Sequence, residues 1–119
     1  MSASQWVSIT AVENIPLREG RSVQLGGLVV AIFNLGDRFV ALENLCPHRG
    51  GPLADGIVST VENVVSVTCP LHNWRVCLDS GRVAKPASEH AACARIFNVK
   101  VQGGIVMLDL NHEVSEAAA

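Results

Sequence analysis

Two short loops, each offering one cysteine and one histidine, constrain this chain more than any other feature. Cys46-Pro47-His48-Arg49-Gly50-Gly51-Pro52 and Cys69-Pro70-Leu71-His72-Asn73-Trp74 give the pattern C-x-H, twenty intervening residues, then C-x-x-H. Two thiolates and two imidazoles form a soft-to-borderline donor set that suits a transition metal. For one site to use all four, both loops must project from the same end of the fold.

The rest of the chain has to supply that scaffold from 119 residues, 49% of them hydrophobic. This is enough for one compact domain with a sizeable core and too short for two ordinary ones, so residues 1–119 are read as a single domain. A net charge of -2, from nine basic and eleven acidic residues, offers no broad cationic surface, and no nucleic-acid partner is expected. The N-terminal segment lacks the basic start and long apolar run of a secretory signal. The apolar run 28–33 is far shorter than the roughly 20 residues that span a bilayer. A cytoplasmic protein with no membrane partner is therefore expected. In that setting Cys77 and Cys93, which lie outside the two loops, are expected as free, partly buried thiols and not as a disulfide.

Along the chain, residues 6–9 alternate well enough to start or edge a sheet, and 13–16 read as a turn. Residues 21–25 and 28–33 read as strands joined by Gly26-Gly27, since glycine tolerates the backbone angles of two-residue hairpins. Residues 28–33 lack clean alternation, which suits a central strand covered on both faces. Asn34-Leu35-Gly36-Asp37 closes a second hairpin, and 38–43 form a strand that delivers the chain to Cys46. Val29, Val30, Ile32, Phe33, Phe39 and Val40 are the core candidates.

After the first loop, Leu53-Ala54-Asp55-Gly56 is a short connection, and 57–61 with 64–68 make a hairpin around Glu62-Asn63 that returns the chain beside its starting point. Residues 75–78 form a strand before a turn at Asp79-Ser80-Gly81, and 86–92 have no strand pattern. In 94–102, Phe97, Val99 and Val101 face inward while Asn98, Lys100 and Gln102 face solvent. Gly103-Gly104 turns the chain into 105–110, and 111–119 are expected to fray. Many short strands separated by glycine turns predict an all-β sandwich or small barrel. His90 and His112 are read as solvent-facing, Trp6 and Met107 as packing residues, and Asp55 and Asp79 as turn residues, so no catalytic role is assigned.

A structural zinc accepts Cys2His2 ligation, but its usual signature pairs the cysteines in one knuckle and the histidines in another. Here each loop mixes the two types. With its proline and glycine flanks the pattern resembles the Rieske family, in which the cysteines hold one iron of a [2Fe-2S] cluster and the histidines the other. The resemblance covers both loops and most of the surrounding chain. It implies Cys46 and Cys69 as thiolates on one ferric site, with His48 and His72 as neutral ligands of the second iron and the partner-facing side of the cluster. It further implies an all-β Rieske fold of layered antiparallel sheets, with a small cluster-binding subdomain at approximately residues 44–85. Gly50 and Gly51 would let backbone approach the sulfurs, and Pro47, Pro52 and Pro70 would stiffen the loops.

High-potential Rieske proteins carry an extra cysteine in each loop, joined as a disulfide. Gly51 and Leu71 stand at those positions, so the resemblance implies no loop disulfide and a lower-potential cluster. Within the low-potential group, the first loop, the wide interval and Cys69-Pro70-Leu71-His72-Asn73-Trp74 most resemble the small subunit of assimilatory NAD(P)H-dependent nitrite reductase. The implied partner is then a large subunit carrying flavin, an iron-sulfur cluster and sirohaem, which reduces nitrite to ammonium. Stand-alone ferredoxins of aromatic-ring dioxygenases, with oxygenase and reductase partners, share the fold and form the alternative; a structural zinc module is a third. Trp74 either shields the cluster or anchors an interface, and Arg49 lies at the rim or against a partner.

Overall fold

The computed structural model describes residues 6–44, 52–61, 63–70, 75–80, 83–85 and 95–114. These residues form β1 (Trp6–Ala11), β2 (Gly20–Leu25), β3 (Leu28–Asn34), β4 (Phe39–Glu43), β5 (Ile57–Val61), β6 (Val64–Thr68), β7 (Arg75–Cys77), β8 (Val83–Lys85), β9 (Ile96–Gln102) and β10 (Ile105–Val114). Two sheets result, one of six strands ordered β1-β10-β9-β4-β3-β2 and one of four ordered β5-β6-β7-β8. Every named pairing is antiparallel. The four-stranded sheet is drawn wholly from the interval between β4 and β9, the same interval that holds both Cys/His loops. Val12–Asn14 and Leu53–Asp55 are single 3-10 turns. Among the described residues, no helix is long and apolar enough to cross a membrane.

Glycine chemistry sets the hairpins. At Gly103-Gly104 both residues have positive φ, 62° and 77°, and Gln102 pairs with Ile105 across them. Two consecutive positive φ values are the requirement of the type I′ turn, whose twist matches that of the flanking strands.

Strand β3 organises the interior. Val30, Ala31, Ile32 and Phe33 are all fully buried, because alternate side chains enter two different cores. Val30 and Ile32 pack with Ile15, Ala41, Phe97, Val106 and Leu108. Ile9 of edge strand β1 and Val23 of edge strand β2 join this same core, so the six-stranded sheet curls until both edges share one interior. Ala31 and Phe33 instead pack with Leu42, Leu53, Val67, Val76 and Leu78, which places a second core between the other face of that sheet and the four-stranded sheet. Burying one such aliphatic or aromatic side chain is worth roughly 1.5–3 kcal/mol, so β3 stabilises both layers at once. The missing alternation in its sequence has this double burial as its cause.

Several expectations need correction. Val29 is 37% exposed and Val101 48% exposed, because each lies toward the end of its strand, next to a Gly-Gly hairpin and beyond the layer that covers its neighbours. Residues 13–16 do more than turn: they overlap a 3-10 turn and bury Ile15, whose carbonyl accepts a hydrogen bond from the Asn34 side chain at 2.8 Å. Strand β8 was not foreseen in the sequence. Residues 111–114 continue β10 instead of fraying, after an irregularity between Asp109 and Glu113 that restores pairing with Phe97 and Ile96. Trp6 packs beneath a cation, with Lys100 Nζ 4.3 Å from its ring centroid.

The two sheets are also tied at their surface. Arg38, in the β3–β4 turn, donates from Nη2 to both carboxylate oxygens of Asp79 at 2.7 Å and from Nη1 to Asp37 at 2.9 and 3.0 Å. The hydrogen bond to Asp79 raises the Arg38 pKa above its ordinary value, against the opposing effect of burial. A raised pKa means stability that is fully present below the ordinary arginine pKa and lost only as pH rises through the raised one, so the guanidinium adds no pH dependence near neutrality. The side chains are 40% and 53% exposed, and solvent screening limits such a pair to about 1 kcal/mol or less. Asp79→Asn should therefore lower unfolding free energy by about 0.5–1 kcal/mol at low ionic strength, with the difference shrinking in concentrated salt. Urea titrations at two ionic strengths check this.

Candidate metal centre

The first loop leaves the six-stranded sheet at the end of β4. There Glu43 N–H donates to Arg95 O and Asn44 N–H to Val29 O, both at 2.8 Å. The loop returns at Pro52, and the turn Leu53–Asp55 is closed by Asp55 N–H to Pro52 O at 3.1 Å and Gly56 N–H to Leu53 O at 3.0 Å. The Asn44 side-chain carbonyl accepts from Ala54 N–H at 2.8 Å, so the departing and returning strands of the loop are fastened together. Sequence reading passed over Asn44; a short amide side chain at the mouth of a loop was the available signal.

The second loop leaves from β6 and returns into β7. Thr68 pairs with Ile57 on one side and Arg75 on the other, which closes this loop at its base. Gly56 brings the two stems into contact: a Cβ there would lie 2.3 Å from Thr68 O and 2.6 Å from Val67 Cγ2. Leu53 and Ala54 from the first stem and Cys69 from the second occupy the same core. The expectation that both loops project from one end thus holds for their stems.

Of the four expected ligands, Cys69 lies among the described residues, and Cys46, His48 and His72 lie outside them, as do Gly50, Gly51, Leu71, Trp74, His90 and Cys93. Cys69 is fully buried and not in a disulfide. Its surroundings, Leu53, Val67 and Val76 among them, are apolar. An ionised thiolate in such surroundings requires a compensating cation, and a coordinated metal supplies one. The residue therefore fits a metal centre. Cys77, on β7, is half-buried and also free. Among the described residues no group of three or more His, Cys, Asp or Glu side chains could hold a metal ion.

A curled antiparallel sheet, a smaller sheet stacked on one face, and two loop stems gathered at one end define a small all-β domain. The chain matches the family model of the Rieske [2Fe-2S] domain over residues 5–101. It is 28% identical over 108 residues to the ferredoxin component of the naphthalene 1,2-dioxygenase system of Pseudomonas aeruginosa, covering 90% of this chain and 97% of that one. It is 31% identical over 101 residues to the 3-phenylpropionate/cinnamic acid dioxygenase ferredoxin subunit of Escherichia coli K12, covering 83% and 88%. Among solved structures, a protein assigned as an NADH-dependent nitrite reductase small subunit from Mycobacterium tuberculosis superposes with TM-score 0.81 at 22% identity, covering 90% and 96%. Escherichia coli NirD superposes with TM-score 0.76 at 25% identity, covering 89% and 96%. The chain belongs to the Rieske [2Fe-2S] domain family, with the all-β Rieske fold and one Rieske [2Fe-2S] cluster as its cofactor. That assignment displaces the structural zinc reading.

Proposed function

We propose that Cys46, His48, Cys69 and His72 hold the cluster, that residues 44–85 form the subdomain carrying it, and that the chain is the small Rieske subunit of an NAD(P)H-dependent nitrite reductase. The observation that carries the pathway reading is the second loop, Cys69-Pro70-Leu71-His72-Asn73-Trp74, with its Asn-Trp continuation past the histidine. The likeness to Escherichia coli NirD over 89% of this chain supports it. When bound, a [2Fe-2S] cluster supplies one-electron redox chemistry. The protein's part is to hold Cys69 in a dry core, fix the loop stems, and keep the histidine side toward a partner. Nitrite binding and hydride transfer belong to the large subunit carrying flavin, an iron-sulfur cluster and sirohaem.

A second reading, a ferredoxin serving an aromatic-ring dioxygenase, is favoured by the 28–31% identity to two such ferredoxins. Affinity purification from the native host under anaerobic conditions separates the two. Recovery of a stoichiometric large protein with sirohaem absorption is the expected result. Electron delivery from a flavoprotein reductase to a terminal oxygenase, with no sirohaem protein recovered, would establish the ferredoxin role instead.

A further inference from the structure

We propose that Asn44 is a positioning residue for the first metal-binding loop: its side-chain carbonyl closes the neck of residues 45–53 and thereby sets where that loop presents Cys46 and His48. The inference rests on the ligand assignment proposed above. Asn44 is tied at its backbone to the six-stranded sheet, where its N–H bonds to Val29 O at 2.8 Å and extends the β3–β4 pairing one residue past Glu43. Its Oδ1 reaches ten residues ahead to accept Ala54 N–H, also at 2.8 Å and part-buried.

The partner is itself immobilised. Ala54 sits in the 3-10 turn Leu53–Asp55, where early N–H groups have no acceptor within the turn and need one from outside. Leu53 and Ala54 are buried in the same core as Cys69. One amide side chain therefore links the sheet that launches the first loop to a turn buried in the same core as the second loop's cysteine. Short Asn and Asp side chains suit such local bonds to backbone. Alanine at this position would strand a part-buried N–H and open the neck, whereas aspartate would keep the acceptor.

The test uses the full chain, reconstituted anaerobically, with Asn44→Ala and Asn44→Asp compared to wild type. Rates of iron release to a chelator, the EPR spectrum of the reduced protein and the redox midpoint are measured. Asn44→Ala is expected to fold, to lose iron about tenfold faster, and to shift both the g values and the midpoint. Asn44→Asp is expected to recover most of the release rate. Should Asn44→Ala fail to fold, Asn44→Leu, which occupies similar space without an acceptor, takes its place. Wild-type g values, midpoint and release rate in the acceptor-less variant would overturn the proposal, as would equal impairment in Asn44→Asp. Cys46→Ala is run alongside: if it keeps the wild-type iron content, the ligand assignment fails, whatever the Asn44 variants do.

Discussion

Cys69→Ala is expected to abolish cluster binding while leaving the two-sheet fold in place. The residue lies one position past β6, fully buried in the core shared by the two sheets. Removing one sulfur from that core costs little in packing, because a buried cysteine behaves as a small hydrophobe and the cavity left by one atom destabilises by about 1–2 kcal/mol. The loss at the metal is far larger. Cys69 is one of the two thiolates proposed to hold the cluster, and its removal would leave the cluster one ligand short. The expected measurements are iron content at background, no visible charge-transfer absorption, and a strand-rich circular dichroism spectrum close to that of wild type. Cys77→Ala provides the contrast. That thiol is half-buried on β7, across from Ser66, and its removal should leave iron content unchanged. Retention of full iron in Cys69→Ala, or its loss in Cys77→Ala, would reverse the assignment.

What the sequence disclosed and what it hid follow from the range of the forces involved. Hairpins were legible because their determinants are local: Gly26-Gly27, Asn34 to Asp37 and Gly103-Gly104 each specify a turn within four residues, and the register across them follows. The double burial of β3 was legible because a strand covered on both faces has no polar face to display. Burial at strand ends was not legible. Val29 and Val101 have the composition of core residues, and only the extent of the covering layer, set by distant segments, leaves them exposed. Ile15 was missed for the converse reason, since a residue beside a proline in a polar stretch gives no sign that the curled sheet closes over it. At the site, donor types and spacing were readable one residue at a time. The devices that gather the stems were not, because Asn44 and Gly56 act on partners ten or more residues away.

Gly56 makes the strongest steric demand on that arrangement, and Gly56→Ala is expected to destabilise the protein by about 3 kcal/mol, at the upper end for overpacking a fixed site. Backbone conformation is not the reason. Gly56 has φ -80° and ψ 177°, extended angles open to any residue. Space is the reason: the added Cβ would meet Thr68 O at 2.3 Å, Thr68 C at 3.1 Å and Val67 Cγ2 at 2.6 Å. A flexible side-chain end could rotate away, but a main-chain carbonyl can retreat only by moving β6. Gly56 immediately precedes β5, whose first residue pairs with Thr68, so relief requires prising apart the β5–β6 pairing at the end that leads into Cys69. Loss of stability and loss of iron should consequently appear together, with the cluster released faster than in wild type even where the protein remains folded. Gly27→Ala is the matched control, since a Cβ there meets nothing within 4 Å and its φ is not in the left-handed range; its effect should stay within about 0.5 kcal/mol. Equilibrium urea unfolding and chelator-driven iron release on both variants measure the two effects. If Gly56→Ala matches Gly27→Ala in both, the stems are not held in the close contact described, and the convergence of the two loops must depend on something other than the packing of Gly56 against Thr68.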